Sequence, residues 1–319
     1  MRLLVTGGAG FIGSHFTRRA VKSGAWESVT VLDALTYAGN RENLAECDTD
    51  SKFTFVHGNI TDQDLVATLM PTVDVVVHFA AESHVDRSIL NPRLFVETNV
   101  LGSQTLVKAA LDHGVNKFIH ISTDEVYGAV LEGASTESDT LDPRSPYAAS
   151  KASSDLIALS YHTTYGLDVR VTRCTNNYGP NQFLENIIPL FISNLLRGKK
   201  VPLYGAGAQR RQWINVADHC RGIELVIENG IAGEIYNLGS GNEFSNLELT
   251  RMLLAGLGKD DSAIEFVADR AGHDFRYSLD YSKAVRDLGY KPAINFAEGL
   301  ASTIQWYREN TQWWAPLVK

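Results

Sequence analysis

Tyr147 and Lys151 have the types and the spacing of a general base and the cation that activates it. They stand four residues apart in a segment that begins with Ser145 and Pro146, so one helical turn would place both side chains on the same face. A lysine ammonium beside a phenol favours the tyrosinate and lowers its pKa from the reference value of about 10. Such a pair alone is more often an exposed helical pair, so its meaning depends on the other motifs.

Three consecutive polar residues, Thr123, Asp124 and Glu125, follow a predicted central strand. Open α/β sheets bind their ligands at the carboxyl ends of their strands, which is where this trio is expected to lie. A carboxylate at such an edge can remove a proton from a ligand. The alternative is that both acids only cap the start of a loop, and their company with Tyr147 and Lys151 favours the chemical role.

A glycine-rich turn containing Gly7, Gly10 and Gly13 directly follows the first predicted strand and opens the first predicted helix. Glycine lets the backbone approach a pyrophosphate, whose charge then meets the exposed N–H groups of the helix start. Asp33 ends the second predicted strand about 20 residues further on, where its carboxylate can accept from ribose hydroxyls and repel a 2′-phosphate. The combination predicts NAD rather than NADP, and a cationic nicotinamide would add to the effect of Lys151. The alternatives are an ordinary strand-to-helix turn and a turn cap at Asp33.

Short apolar, β-branched runs alternate with longer amphipathic segments along the first half of the chain. The runs cover residues 3–5, 29–32, 53–56, 73–79, 118–121 and 169–171. Helices are predicted at 11–24, 98–114 and 146–166, and the last two end at a glycine. This alternation predicts a parallel sheet with helices on both faces.

After about residue Cys174 the pattern loosens into turns and shorter segments, which predicts a smaller second domain. The expected fold class is α/β, a Rossmann-type doubly wound parallel sheet with a smaller C-terminal α/β substrate-binding domain. We place the NAD-binding domain with the catalytic residues at 1–174 and the mainly substrate-binding domain at 175–319. Segments near 214–238 could return to the main sheet.

Composition and charge narrow the class of protein. The chain has 319 residues, of which 44% are hydrophobic and 21% charged, as in ordinary soluble globular proteins. A formal net charge of -8 argues against a nucleic-acid partner. We expect no signal peptide and no membrane span, because residues 1–6 run directly into the glycine-rich turn and no apolar run is long enough. Cys47, Cys174 and Cys220 are too few and too far apart for a disulfide framework or a metal site, and the histidines are scattered, so a cytoplasmic enzyme without a metal is expected.

As a set, these motifs resemble the extended short-chain dehydrogenase/reductase superfamily and, within it, the dTDP-glucose 4,6-dehydratases. The resemblance is carried by residues 6–14, 33–40, 78–88, 122–128, 147–151, 176–180 and 272–274, and it spans nearly the whole chain. Related 4-epimerases carry small hydroxyl residues where this chain has its acidic pair, and nucleotide-sugar decarboxylases resemble Thr-Ser-Glu there. The resemblance implies a lyase that converts dTDP-glucose into dTDP-4-keto-6-deoxyglucose and water.

The resemblance implies a role for each of five catalytic residues. Tyr147, assisted by Lys151 and NAD, would oxidise C4 of the sugar, and the ketone then acidifies the C5 hydrogen that Glu125 can remove. Asp124 would protonate the departing C6 hydroxyl, so desolvation or a neighbouring carboxylate must raise its pKa. Thr123 would hydrogen-bond the C4 hydroxyl. Hydride then returns to C6 and a proton to C5, so no external reductant is consumed.

The same resemblance implies two sets of binding residues. The cofactor set is Gly7, Gly10, Phe11, Ile12, Gly13, Asp33, Ala34, Leu35, Thr36, Asn59, Ile60, Phe79, Ala80, Ala81, Ser83, Thr98, Tyr147, Lys151 and Asn177. The substrate set is Ser83, Thr123, Asn176, Asn186, Pro202, Tyr204, Arg211, Asn237, Arg270, His273 and Tyr277. Arg211 also has a physical reason, because a guanidinium forks onto phosphate oxygens, although a solvated surface shared with Arg210 is the alternative.

Four positions depart from the family pattern. Asn59 stands where an Asp usually contacts the adenine, and Asn186 where a Lys usually helps to bind the diphosphate side of the substrate. Gln212 replaces an expected Asp, and Asn215 replaces an expected Tyr. Asn59 can still accept from the adenine amino group, with a loss of about 1 kcal/mol of charge assistance. The substrate hypothesis is therefore dTDP-glucose, with UDP-glucose or a modified sugar as alternatives.

Three further alternatives stay open. A 4-epimerase or decarboxylase of the same fold would use the tyrosine, the lysine and NAD without the acidic pair in these roles. A non-catalytic NAD-binding scaffold protein would have kept the fold after losing turnover, and the intact catalytic set argues against it.

The helices predicted at 98–114 and 146–166 could pair across a two-fold axis, so a homodimer is expected, although packing on the chain's own sheet explains the same apolar stripes.

Overall fold

A computed structural model describes residues 1–269 and 272–318 of the chain, so the predicted substrate residue Arg270 lies outside the described residues. The strands are β1 (Arg2–Thr6), β2 (Ser28–Asp33), β3 (Phe53–His57), β4 (Val75–His78), β5 (Lys117–Thr123), β6 (Val169–Cys174), β7 (Asn176–Tyr178), β8 (Val201–Tyr204), β9 (Arg210–Asn215), β10 (Ile235–Leu238), β11 (Glu243–Ser245) and β12 (Ile264–Val267). The α-helices are α1 (Phe11–Ser23), α2 (Gln63–Leu69), α3 (Val85–Leu90), α4 (Pro92–Phe95), α5 (Ser103–Asp112), α6 (Pro146–Tyr165), α7 (Ile187–Leu196), α8 (Val216–Asn229), α9 (Asn246–Gly256), α10 (Ser282–Leu288), α11 (Phe296–Glu309) and α12 (Thr311–Trp314).

The main sheet is parallel throughout and has the strand order β10-β6-β5-β4-β1-β2-β3. Successive side chains of a strand point to opposite faces, so Leu3 and Val5 of β1 enter one buried core and Leu4 enters another. Helices supply the other side of both cores. The predicted α/β class with a doubly wound parallel sheet is confirmed.

The second half of the chain forms two smaller sheets and also adds one strand to the main sheet. Strands β11, β9 and β7 make a three-stranded sheet, and β12 pairs with β8. A separate apolar core around Trp213, Leu253 and Tyr307 holds these elements together. After α8, strand β10 pairs in parallel with β6, so residues 235–238 extend the main sheet.

The helix predicted at 98–114 begins earlier than the sequence indicated. The chain enters α4 at Pro92 and passes through a π-helical segment, Val96–Gly102, before α5. The predicted start at 98 is wrong because a proline in the first helical turn already opens the helix, and a π segment breaks the 3.6-residue period. Inside that segment, Asn99 hydrogen-bonds both backbone groups of Glu82 and the hydroxyl of Ser150, which ties the helix to the loop after β4 and to α6.

Helix α6 is bounded as the sequence indicated. The hydroxyl of Ser145 accepts from the backbone N–H of Ala148 at 3.0 Å, and Gly166 ends the helix in the left-handed conformation at φ 76°. These caps fix the first turn, so Tyr147 and Lys151 both lie on the buried face against β5 and β6. No helix within 1–269 or 272–318 combines the length and the hydropathy needed to cross a membrane.

Candidate active site

A cleft of 370 Å³ lies where β1, β2, β4, β5 and β6 end and the C-terminal half of the chain begins. All five predicted catalytic residues line it, namely Thr123, Asp124, Glu125, Tyr147 and Lys151. The predicted cofactor residues in its wall are Gly7, Gly10, Phe11, Ile12, Gly13, Asp33, Ala34, Thr36, Asn59, Ile60, Phe79, Ala80, Ala81, Ser83, Thr98, Tyr147, Lys151 and Asn177. The predicted substrate residues in the wall are Ser83, Thr123, Asn176 and Asn186. The structure therefore gathers most of the predicted residues, whose binding roles stay predictions.

The glycine-rich turn is packed so closely that side chains do not fit. A Cβ at Gly7, whose φ is +71°, would lie 2.5 Å from the backbone nitrogen of Ala80, and one at Gly13 would lie 2.2 Å from the carbonyl oxygen of Gly7. No side chain caps the start of α1 at Gly10, so the first N–H groups of that helix face the cleft. This is the arrangement that a pyrophosphate requires.

Asp33 braces the same turn. One carboxylate oxygen accepts from the backbone N–H of Ala9 and the other from that of Leu35, both at 2.8 Å. Burial raises the pKa of Asp33, and the two backbone N–H groups oppose that rise. The side chain thus serves as a turn cap and also lines the cleft. Leu35 adopts a positive φ of 48° and lies outside the cleft wall.

Tyr147 is buried and its pKa lies well above 10, because burial disfavours the phenolate and the charge of Glu125 adds to the effect. Lys151 donates from Nζ to the carbonyl oxygen of Ile121 at 2.7 Å, and burial lowers its pKa. The rise in the pKa of Tyr147 holds for the chain without a bound cofactor, and the expected lowering of the pKa of Tyr147 by Lys151 and an oxidised nicotinamide together stays a prediction. A cation bound beside the phenol would oppose the rise.

Asp124 is 4% exposed, and its pKa rises to about 7 because of burial first and the neighbouring charge of Glu125 second. Thr123 donates its hydroxyl to Oδ1 of Asp124 at 3.2 Å and accepts from the backbone N–H of Glu125 at 3.3 Å. Oδ2 of Asp124 is buried and has no hydrogen-bond partner within the described chain. The side chain is thus a carboxyl group that can hold a proton near neutral pH and deliver it to a ligand.

Arg211 lies outside the cleft wall. Its guanidinium stacks on the ring of Tyr277 at 4.3 Å and donates to the carbonyl oxygen of Asp274 at 2.9 Å, and its charge lowers the pKa of Asp124. At 6% exposure it is not part of a solvated surface. The hydroxyl of Tyr277 donates to the carboxylate of Asp274 at 2.7 Å.

Asn237 does not reach the cleft. Its side chain is completely buried, accepts from the hydroxyl of Tyr127 at 3.0 Å and donates to the carbonyl oxygens of Ser135 and Asp280. Both ends of the amide are therefore engaged inside the protein. Four more predicted substrate residues, Pro202, Tyr204, His273 and Tyr277, lie outside the cleft wall, with the rings of Tyr204 and His273 in edge contact at 6.1 Å.

The four departures from the family pattern fall into two groups. Asn59 and Asn186 line the cleft, where they can affect a bound nucleotide. Gln212 instead donates to the hydroxyl of Ser278 at 2.8 Å, and Asn215 caps α8 by accepting from the backbone N–H of Ala217 at 2.9 Å. The side chains at 212 and 215 are therefore engaged in hydrogen bonds within the protein.

Several cleft residues were missed at the level of sequence, among them Tyr37, Cys174, Gln182, Glu185 and Trp213. Glu185 accepts from the hydroxyl of Tyr37 at 3.0 Å, and burial raises its pKa to about 7. Tyr37 lies within the segment 33–40 that carries the family resemblance, whereas the other four residues belong to none of the motifs. The available signal for Glu185 was its position next to Asn186, a predicted substrate residue.

The chain is similar to known dehydratases and epimerases that act on nucleotide sugars. The family model described as GDP-mannose 4,6 dehydratase matches residues 4–303. The chain is 56% identical to a dTDP-glucose 4,6-dehydratase of Streptomyces antibioticus, with 100% of this chain and 96% of that protein covered. The solved structure of DesIV, a dTDP-glucose 4,6-dehydratase of Streptomyces venezuelae with NAD bound, is 59% identical, with a TM-score of 0.98 and full coverage of both chains. A UDP-glucose 4-epimerase of Thermotoga maritima is 31% identical, with a TM-score of 0.91 and coverage of 98% and 100%.

Proposed function

The chain belongs to the GDP-mannose 4,6-dehydratase family, and on that premise we propose that it is an NAD-dependent dTDP-glucose 4,6-dehydratase. The reaction converts dTDP-glucose into dTDP-4-keto-6-deoxyglucose and water. The observation that carries the proposal is a buried Asp124 with a pKa of about 7 in the same cleft as Glu125, Tyr147 and Lys151. Oxidation at C4 needs only the tyrosine, the lysine and the cofactor, whereas loss of water also needs a proton donor and a second base.

The cleft residues fit NAD. The glycine-rich turn offers the N–H groups of α1 to a pyrophosphate, and Asp33 ends β2 where a ribose would lie. When bound, NAD would accept the hydride from C4 and return it to C6. The NAD carried by the similar dehydratase of Streptomyces venezuelae supports the same assignment.

Each catalytic side chain then has one task. Tyr147 removes the proton of the C4 hydroxyl, with Lys151 one helical turn away as its cation. Glu125 removes the C5 hydrogen once the C4 ketone has acidified it. Asp124 gives its proton to the C6 hydroxyl as that group leaves, and Thr123 orients both the acid and the substrate.

The test is mass spectrometry of the products formed from dTDP-glucose and UDP-glucose. We expect loss of one water from dTDP-glucose. Asp124→Asn should slow this reaction by about 10²–10⁴-fold, which is the usual contribution of a general acid. The matched control is Asp142→Asn, the same chemical change at a side chain that is 67% exposed, and it should leave the rate unchanged.

Other outcomes would replace the proposal. A clear preference for UDP-glucose would overturn the choice of base. A C4-inverted hexose without loss of water would identify a 4-epimerase. Absence of any product from a panel of nucleotide hexoses at saturating NAD would leave a non-catalytic NAD-binding protein.

We also propose a homodimer, because α3, α6 and the π-helical segment carry large apolar side chains that are exposed in the single chain. These are Leu90, Val96, Leu101, Leu156 and Tyr165, of which Leu90 is 85% and Leu156 60% exposed. Apolar residues on adjacent helices are typical of a helical interface. Light scattering at micromolar concentration should give twice the monomer mass, and a monomer would refute the homodimer.

We further propose that the protein is cytoplasmic. In its domain organisation, we propose that residues 1–174 bind NAD while residues 175–319 bind most of the nucleotide sugar.

A further inference from the structure

A buried acidic residue follows the catalytic pair on the same helix. Tyr147, Lys151 and Asp155 are spaced by four residues, so they form one line along α6. The side chain of Asp155 is fully buried, and Oδ2 accepts from Nε of Arg173 at 2.9 Å. Oδ1 lies 3.2 Å from Nε2 of His120. This buried carboxylate therefore lies between a guanidinium and an imidazole.

Lys151 is a buried cation whose hydrogen-bond acceptor carries no charge. Its ammonium is buried at 4% exposure, and the acceptor it contacts is the neutral carbonyl oxygen of Ile121. Burial lowers the pKa of Lys151, and attraction to Asp155 is the main effect that raises it again. An ammonium removed from water keeps its proton only where a negative charge compensates for the lost hydration.

The ionisable groups that act on Tyr147, Lys151 and their charged neighbours lie on β4, β5, β6 and α6 and in the segment after β5. They are His78 on β4, His120 on β5, Asp124 and Glu125 after β5, Arg173 and Cys174 on β6, and Asp155 on α6. Burial lowers the pKa of both histidines and raises that of Cys174 to about 12, so these three groups are neutral near pH 7. The pKa of Asp155 is lowered by His120 and Arg173, so its carboxylate stays charged.

We propose that Asp155 is a positioning residue for catalysis, whose carboxylate keeps Lys151 in the charged state that activates Tyr147. Arg173 holds this carboxylate in place and stacks on the ring of Tyr127 at 4.7 Å, which anchors the pair to the segment after β5. The proposal rests on the proposed function in one respect, that Tyr147 is the base of the reaction.

The test compares the pH profile of kcat in three variants. Asp155→Asn should move the acid limb to higher pH by about one to three units, because a neighbouring opposite charge typically shifts a pKa by that much. The turnover rate at pH 7 should fall at least about tenfold, since each pKa unit is a tenfold change in the ionised fraction, and KM should stay constant. Asp155→Glu and Arg173→Lys keep both charges, so their acid limbs should stay in place even where their melting temperatures fall.

Two further measurements test the proposal in the cases where Asp155→Asn does not fold or where the protein does not turn over the substrate. The double variant Asp155→Leu with Arg173→Met removes both charges together, a replacement that protein interiors commonly tolerate, and it should show the same upward shift. The ionisation of Tyr147 can also be followed without turnover, by tyrosinate absorbance of the NAD complex against Tyr147→Phe. Absence of product from the wild type would reject the proposed function while this titration still reports on Asp155. An unmoved titration in Asp155→Asn, or an equal shift in Arg173→Lys, would overturn the role given to Asp155.

Discussion

Replacement of Asp124 by Asn should stabilise the fold at alkaline pH while it removes the dehydration step. Burial and the charge of Glu125 raise the pKa of Asp124 from 3.8 to about 7. Because the folded-state pKa lies above the unfolded value, the folded state binds more protons in this window, and stability falls as the pH rises through it. A shift of about three units corresponds to at most about 4 kcal/mol, fully present below pH ~4 and lost above pH ~7.

Asn is neutral at every pH and has the same shape, so the variant escapes this loss. We expect Asp124→Asn to be more stable than the wild type at pH 8 by about 1–4 kcal/mol, which is several degrees in melting temperature, and to show no gain near pH 4. Asp142→Asn, at a carboxylate that is 67% exposed, should show no pH-dependent gain. Thermal denaturation at the two pH values measures the difference.

The same substitution should lower kcat for formation of the 4-keto product by about 10²–10⁴-fold. In the wild type, the protonated fraction of Asp124 falls tenfold for each unit above its pKa, so the rate should drop about 100-fold by pH 9. Full activity in Asp124→Asn would refute the reasoning. An equal change in stability at both pH values would refute the part that assigns a buried proton to this side chain.

Three other substitutions test separate parts of the structure. Gly13→Ala should abolish NAD binding in a titration, because its Cβ would lie 2.2 Å from a backbone carbonyl oxygen, whereas Gly24→Ala has nothing within 4 Å and should cost only about 1–2 kcal/mol of left-handed strain. Tyr147→Phe removes only the hydroxyl, so steady-state assays should show kcat lowered by about 10²–10⁴-fold with an unchanged melting temperature. Leu101→Glu should give a monomer in light scattering, and Leu131→Glu, on an exposed loop, should leave the dimer intact.

The sequence predicted well those features that depend on residues close together in the chain. A glycine-rich turn between a strand and a helix has one common use, and Ser145, Pro146 and Gly166 mark the ends of α6 without reference to the rest of the chain. The parallel sheet with helices on both faces follows from alternating strands and helices. These patterns were sufficient to bring Tyr147 and the acidic trio to one edge.

What the sequence could not predict depends on contacts between distant segments. The π-helical segment follows from Asn99 reaching Glu82 and Ser150, and neither contact is visible in a periodic pattern. The internal hydrogen bonds of Asn237 depend on three loops that meet only in the folded chain. The direction of the pKa of Tyr147 depends on how much water the fold removes, which residue spacing does not determine.

Burial has opposite consequences for the two proton-transfer groups of this cleft. It raises the pKa of Asp124 to about 7, which the proposed dehydration requires, and it raises the pKa of Tyr147 well above 10, which opposes the oxidation at C4. A dry cleft alone therefore cannot serve both groups. Positive charge has to lie beside the phenol, where Lys151 follows it by one turn of α6, while the neighbour of the acid is Glu125. The pH range of activity should then be bounded below by Tyr147 and above by Asp124. Loss of the Glu125 charge should move both limbs to lower pH, because this charge raises the pKa of both residues.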